Sequence, residues 1–316
     1  MRRNLSQGVD LYLKTRREFG FGLVQAGREL QSFLRYVKEV GHRGPLSTSL
    51  AVRWAQQPQH CQRHYWALRL EILRRFAQFW TAYDPRTQMP PRGLLGPTYR
   101  RRVVHIYTRQ EVGALLEMAA QVGGREHPFR GSSYCALLAL LDCTGLRIGE
   151  ALALRDQDID WSEAILTIPR AKYGHARLIP VQASTLEALR RYRILRDKSL
   201  GSLSTPRFFA TFRGEPLGYH GVNSFFRVLR RRLGWTQRPI PRLHDLRHSF
   251  AVRTLLAWNQ SDQPVGPKLW SLSTYLGHRH LADTYWYLTA VPELMHLIQQ
   301  RFAAAQAWAS SGAAHE

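Results

Sequence analysis

Cysteine, lysine and carboxylates are all scarce in this 316-residue chain, and each shortage removes a class of explanation. Its three cysteines, Cys61, Cys135 and Cys143, are odd in number and lack metal-binding spacing. A disulfide-stapled scaffold is therefore not expected, and all three are read as reduced. No apolar run approaches the roughly 18 residues that a membrane span needs. Met1-Arg2-Arg3-Asn4 leads into an amphipathic segment rather than a secretory leader, so a cytoplasmic protein is expected. There is no internal repeat. Only 23 Asp and Glu stand against 45 Lys and Arg, a formal net charge of +22. So one-sided a balance points to a polyanionic partner, nucleic acid first and a membrane surface as the rival. Lysine occurs only at Lys14, Lys38, Lys172, Lys198 and Lys268, so a lysine inside a candidate motif stands out from an arginine-rich background.

What is present suffices for two domains and a real core, with 44% hydrophobic residues. Residues 1–85 read as a small helical domain, with helices near 6–19, 24–40, 49–56 and 59–83. The first 103 residues hold 19 Lys and Arg against 6 Asp and Glu, a difference of +13. That favours a DNA-clasping domain over a merely solvated surface. Residues 86–103 read as a linker rich in helix breakers, ending at Arg100, Arg101 and Arg102, which either cross a nucleic-acid backbone or only space the domains.

Residues 104–309 read as a second domain and 310–316 as a frayed tail. Thr108-Arg109-Gln110-Glu111 is a capping box opening a helix to about 122. A buried helix is expected from Ser132 or Ser133 to Cys143, broken by Gly145. Short strands near 164–168 and 177–181 flank a turn holding Lys172. Helices follow near 183–198, 222–233 and 243–258; the second carries Arg227, Arg230 and Arg231, a candidate phosphate-facing surface. A polar loop over 259–266 leads to a helix ending at Leu276-Gly277, and a last helix begins at Pro292. The expected class is mainly α with a small antiparallel β-sheet: a helical core-binding domain followed by an α+β catalytic domain.

The densest chemistry lies in Arg242-Leu243-His244-Asp245-Leu246-Arg247-His248-Ser249-Phe250-Ala251, followed by Leu276-Gly277-His278 and then Tyr287, nine residues on (287 − 278). Read as helix, His244, Arg247 and His248 share a face. Cationic donors, a further histidine and a phenol suit attack on a phosphodiester. Together with Thr144-Gly145-Leu146-Arg147-Ile148-Gly149-Glu150 and the segment around Lys172, this order and spacing resembles the tyrosine recombinases, the lambda-integrase-like family. The resemblance covers roughly residues 104–300.

The resemblance implies a site-specific recombinase acting in integration, excision or transposition without metal, ATP or other cofactor. Arg147 and Arg247 would clamp the non-bridging oxygens and His278 would add a hydrogen bond. Tyr287 would form a 3′-phosphotyrosine, Lys172 would protonate the leaving 5′ oxygen, and His244 would help accept the phenolic proton. It further implies double-stranded DNA as partner, a homotetramer or a hetero-assembly with related recombinases on paired sites, and association with a bacterial nucleoid. The segment between Arg247 and His278 is longer than is usual there, which suggests a mobile-element subgroup.

Other readings stay open on the residues alone. Arg147 could simply pair with Glu150, and Lys198 is a decoy for Lys172. His244 and His248 have the spacing of a zinc helix but lack the accompanying carboxylate. Tyr285 competes with Tyr287, although on a helix the two phenols would point about 200° apart. A type IB topoisomerase would share the nucleophile, and a DNA-binding accessory protein would need none of this chemistry.

Overall fold

The computed structural model describes residues 4–99, 103–122, 128–169, 176–201, 205–259, 265–278 and 280–289. The chain divides into two compact units, Met1–Arg102 and Val103–Glu316. The fold is mainly helical with one small antiparallel sheet.

The first unit contains α1 (Leu5–Glu18), α2 (Val24–Glu39), α3 (Thr48–Gln56) and α4 (Arg63–Trp80). Asn4 and Gln7 form a capping box at α1, and Ser47 caps α3 by accepting from the Leu50 amide. Val9, Leu30, Phe33, Trp54, Leu73, Phe76 and Trp80 fill the core. The fourth helix starts later than its apolar pattern suggests, because Pro58 offers its carbonyl to the Trp66 indole at 2.8 Å and holds the preceding residues in a loop. Arg69 is 2% exposed; its guanidinium lies 4.1 Å from the Trp54 ring and bonds Glu29 at 3.1 Å. Such a stacked, paired geometry satisfies a buried cation. The breaker-rich stretch after α4 is tied to this unit. The Gln88 amide donates to Leu46, the Gln88 side chain accepts from Thr48, and Leu95 packs on the core.

In the second unit, α5 (Arg109–Gln121) opens at the Thr108–Glu111 box. The next helix, α6 (Pro128–Thr144), begins at a proline that needs no amide partner in a first turn, earlier than Ser132. It is apolar on most faces and buries Leu137, Leu138, Leu140 and Leu141. Then come α7 (Ile148–Ala153), β1 (Ile159–Asp160), β2 (Ile165–Ile168), β3 (Arg177–Pro180), α8 (Ala183–Leu200) and α9 (Tyr219–Arg232). The last three described helices are α10 (Asp245–Asn259), α11 (Val265–Leu276) and α12 (Ala282–Thr289). The strands pair antiparallel in the order β1-β2-β3, with Leu166 opposite Ile159 and Ile179.

Gly145 ends α6 with φ +62°, and a Cβ there would lie 2.5 Å from Phe250 Cδ1. Only glycine permits both the left-handed backbone and that approach of α10. The segment entering α5 is stapled to α10 as well. The Tyr107 amide donates to Ser249 Oγ at 2.8 Å, and the Tyr107 hydroxyl donates to the Arg242 carbonyl at 3.1 Å. A separate apolar cluster of Ala251, Val252, Leu255, Leu269, Leu272, Leu276 and Tyr287 binds α10, α11 and α12 together. Among the described residues no helix is long and apolar enough to cross a membrane.

Two further local expectations change. His244 does not lie on the motif helix: it sits in the turn before α10, which starts at Asp245, because the Asp245 carboxylate accepts from the Arg242 amide at 2.9 Å and nucleates the first turn there. The two-residue β1 was not expected, being too short to carry a period. The expected last helix from Pro292, the residues Arg100, Arg101 and Arg102, and Lys172 lie outside the described residues.

Candidate active site

The candidate residues stand at the ends of elements. Arg147 is the residue before α7, in extended backbone at φ −69°, ψ 141°. Its amide donates to Glu150 Oε2 at 2.9 Å and its Nη1 to Glu150 Oε1 at 2.9 Å. The simple local pairing therefore exists, but it uses only part of the guanidinium. Nη2 reaches across to the Gly277 carbonyl at 2.9 Å.

Arg247, within α10, donates from Nη1 to the Gly145 carbonyl at 2.7 Å and from Nη2 to the Leu276 carbonyl at 2.6 Å. The two guanidinia thus bind adjacent carbonyls of the turn that closes α11. That turn delivers His278, helped by Gly277 at φ +66°. A guanidinium carries five N–H donors, so these contacts leave donors on both arginines for an anion. The side chain of Arg147 is 26% exposed, whereas Arg247 as a whole is 3% exposed, so the first is the accessible arm and the second the buried floor.

His278 Nδ1 lies 2.8 Å from Thr284 Oγ1, joining the turn to α12. Tyr287 stacks on the His278 ring at 6.0 Å between centroids and packs 5.5 Å from His248. His248 contacts His244 edge-on at 4.8 Å and Trp286 at 5.2 Å. Tyr287 is 3% exposed, whereas Tyr285 is 48% exposed on the other side of the same helix. Five of the six expected catalytic residues, Arg147, His244, Arg247, His278 and Tyr287, hence surround one locality. Of the expected DNA contacts, Arg227 and Arg231 are exposed on α9 and Arg230 is half-buried.

Water exclusion and two guanidinia set the proton chemistry. Burial first, then Arg247, lowers His244 to about 4, although the residue as a whole is exposed. Burial followed by His244 lowers His248 to about 3, and burial followed by Arg247 and Arg147 lowers His278 to about 3. All three imidazoles are neutral at physiological pH. Arg247 is pulled down to about 10 by burial and the nearby Arg147, and stays charged. Burial raises Tyr287, with Arg247 and Arg147 opposing the rise. Glu150 resists burial only through its bonds from Arg177 and Arg147, which hold it down to about 2. Among the described residues, no group of three or more His, Cys, Asp or Glu is placed to hold a metal ion.

The residues that hold this site do not stand out in the sequence. Arg177, the first residue of β3, donates from Nη1 and Nη2 to Glu150 at 3.0 and 2.8 Å and from Nε to the Tyr275 carbonyl at 2.9 Å. Asp245 is fully buried and bonds the Arg242 guanidinium at 2.7 Å. Thr284 is fully buried beside His278. A charged residue opening an otherwise apolar strand was the one available signal for Arg177.

Comparison with known proteins identifies the family. The sequence model of the phage integrase family matches residues 106–293. The chain is 39% identical over 301 residues to y4rB of Sinorhizobium fredii, named as an integrase/recombinase, covering 93% of this chain and 96% of that one. It is 30% identical over 224 residues to the tyrosine recombinase XerC of Chromobacterium violaceum, covering 70% and 68%. A Tn1549 transposon integrase solved in complex with transposon right end DNA shares the fold at a TM-score of 0.67 and 17% identity, covering 94% of this chain and 99% of that one. The XerH recombinase bound to palindromic difH matches at 0.63 and 16% identity, covering 91% and 80%. With a family match across more than half its length and a near full-length relative, the chain belongs to the phage integrase family and is a tyrosine-type site-specific recombinase.

Proposed function

We propose that the protein binds duplex DNA and exchanges strands through a covalent 3′-phosphotyrosine made by Tyr287. The observation that carries this reading is that Arg147 and Arg247 donate to the neighbouring carbonyls of Gly277 and Leu276, directly before His278, while the Tyr287 phenol stacks on that histidine. A scissile phosphate entering there meets two permanently cationic forks suited to its non-bridging oxygens. His278 adds a third donor in the tautomer that carries its hydrogen on Nε2, with Nδ1 accepting from Thr284 Oγ1 at 2.8 Å.

The Tyr287 oxygen attacks phosphorus, the phenolic proton passes to His244, and the bond to the 5′ oxygen breaks as Lys172 supplies a proton to it. Reversal with the 5′-hydroxyl of another strand restores the phosphodiester, so no ATP or metal is spent. Tyr287 is 3% exposed beside Arg247, so this reading requires α12 to shift for a phosphate to reach the phenol. The formal charge of +22 supports a phosphate-dominated interface. Arg227, Arg230 and Arg231 on α9 and Arg100, Arg101 and Arg102 before the second unit are the proposed backbone contacts. The DNA complexes of the Tn1549 integrase and XerH support duplex DNA as substrate. Residues 1–85 form the core-binding domain, 104–309 the catalytic domain, and four protomers act on two paired sites in the cytoplasm, in integration, excision or transposition.

A suicide DNA substrate nicked beside the cleavage point tests this. The wild-type chain should yield a protein–DNA adduct stable to denaturation, Tyr285→Phe should retain it, and Tyr287→Phe should give none while still shifting the DNA. An adduct from Tyr287→Phe would overturn the nucleophile assignment. Mobility shift without any adduct from the wild type would make the chain a binding factor only, and relaxation of supercoils without rejoining to a second duplex would make it a topoisomerase.

A further inference from the structure

Arg177 is absent from the set of reacting groups, yet both supports of Arg147 rest on it. The first support is Glu150, which is 8% exposed. Its Oε1 accepts from Arg147 Nη1 at 2.9 Å and Arg177 Nη1 at 3.0 Å, and its Oε2 accepts from the Arg147 amide at 2.9 Å and Arg177 Nη2 at 2.8 Å. The second support is the Gly277 carbonyl, which accepts from Arg147 Nη2. A Cβ on Gly277 would lie 2.8 Å from Arg177 Nη1, so this glycine is packed on the same guanidinium. The remaining donor, Arg177 Nε, holds the Tyr275 carbonyl two residues earlier in the same turn. One planar cation therefore joins the first residue of β3, the start of α7 and the turn that delivers His278.

A guanidinium with a 9% exposed side chain is a poor choice for stability alone, since apolar residues of similar volume usually serve a buried site as well or better. What the fork supplies is direction, because three of its nitrogens are committed at fixed angles. By occupying both carboxylate oxygens of Glu150, Arg177 keeps Arg147 from turning fully onto that carboxylate.

We propose that Arg177 is a positioning residue for strand cleavage: it aims the Arg147 guanidinium and the Gly277–His278 turn at the scissile phosphate. The inference rests on the phosphoryl-transfer reading above. With Arg177 gone, Arg147 closes onto Glu150 and its charge is withdrawn from the non-bridging oxygens. The 5′ oxygen and its proton donor are not the groups affected.

Single-turnover cleavage of two nicked suicide duplexes, one with a normal scissile phosphate and one with an uncharged methylphosphonate there, tests the assignment on the full-length chain. Arg177→Met should cleave the phosphate roughly 100-fold more slowly than wild type while binding the duplex within about threefold of it. On the methylphosphonate, which has no net charge to clamp, its deficit should shrink to less than about tenfold. Arg177→Lys keeps the charge without the fork and should fall between wild type and Arg177→Met on the phosphate. Equal deficits on the two substrates, a loss of affinity as large as the loss of rate, or no deficit at all would overturn the proposal. Should Arg177→Met melt below the assay temperature, the two substrates are compared with Arg177→Lys instead, and the same outcomes support or overturn the role of Arg177. A wild-type chain that gives no adduct on the phosphate would overturn the functional reading itself, and this inference with it; an active wild type with equal deficits overturns only the role of Arg177.

Discussion

Replacing Glu150 by glutamine should loosen the start of α7 by an amount that the structure allows one to calculate. The carboxylate is held at about 2 instead of 4.5, against the burial that opposes its charge. A folded-state value below the unfolded one stabilises the fold at every pH above about 4.5, and that stability is lost as pH falls through about 2. Across 2.5 pH units the contribution is about 3 kcal/mol at neutral pH. Glu150→Gln removes the charge and turns an amide nitrogen toward donors from Arg147 and Arg177, so at least this much should go. Hydrogen exchange of the Glu150 and Ala151 amides, both bonded to the Arg147 carbonyl, reads the effect locally. At pH 7, after correction for intrinsic rates, exchange should be roughly 100-fold faster in the variant. At pH 3 the difference from wild type should narrow to about 1 kcal/mol, because most of the wild-type contribution has then been titrated away. A difference below about 1 kcal/mol at pH 7, or one that widens as the solution is acidified, would refute the account of this carboxylate.

Ser249→Ala should destabilise the second unit by about 1–2 kcal/mol in urea unfolding, since the buried Tyr107 amide loses its acceptor. Gly145→Ala should cost about 3 kcal/mol or more in the same experiment, because the new methyl meets Phe250 at 2.5 Å on a backbone of φ +62°. The rate of single-turnover cleavage should show no histidine inflection near pH 6.5, because His244, His248 and His278 bind protons only near about 4, 3 and 3. A falling acid limb centred between about pH 6 and 7 and removed by His278→Asn would contradict that. DNA affinity should fall steeply with added salt, and a flat response would argue against a phosphate-dominated interface.

The long helices and the small sheet are readable from the sequence because their boundaries carry a chemical mark. Thr108 and Glu111 announce α5, Gly145 interrupts an apolar helix, and the apolar residues of β2 and β3 flank a polar turn. The local candidates of the site are legible for a related reason: Arg, His and Tyr interrupt apolar stretches at short, countable spacings. What the sequence hides is pairing at a distance. Arg177 reaches Glu150 across 27 residues and Arg147 reaches Gly277 across 130, and no periodicity relates such positions. His244 illustrates a subtler limit. Three- and four-residue spacing is shared by helices and by the tight turn that precedes one, and only the Asp245 bond to the Arg242 amide decides where α10 begins.

These positions follow one rule of construction. A helix interior spends its backbone groups on itself, whereas its ends leave amides and carbonyls free. The site exploits this by letting side chains use carbonyls at terminations: Arg247 takes those of Gly145, just past α6, and Leu276, the end of α11, while Arg147, itself before α7, takes that of Gly277. The cations thereby neutralise the negative ends of two helices while being held by them. Arg247 is held by backbone carbonyls at two helix ends, whereas Arg147 is held by one such carbonyl and by the Glu150 side chain. Tyr287 belongs to α12, whose position depends on the apolar cluster it shares with Leu255, Leu272 and Leu276. Under the proposed reading, a change in how this eight-residue helix packs moves the phenol relative to both arginines, so substitutions at Leu255 or Leu272 should slow cleavage in the nicked-duplex assay without weakening DNA binding.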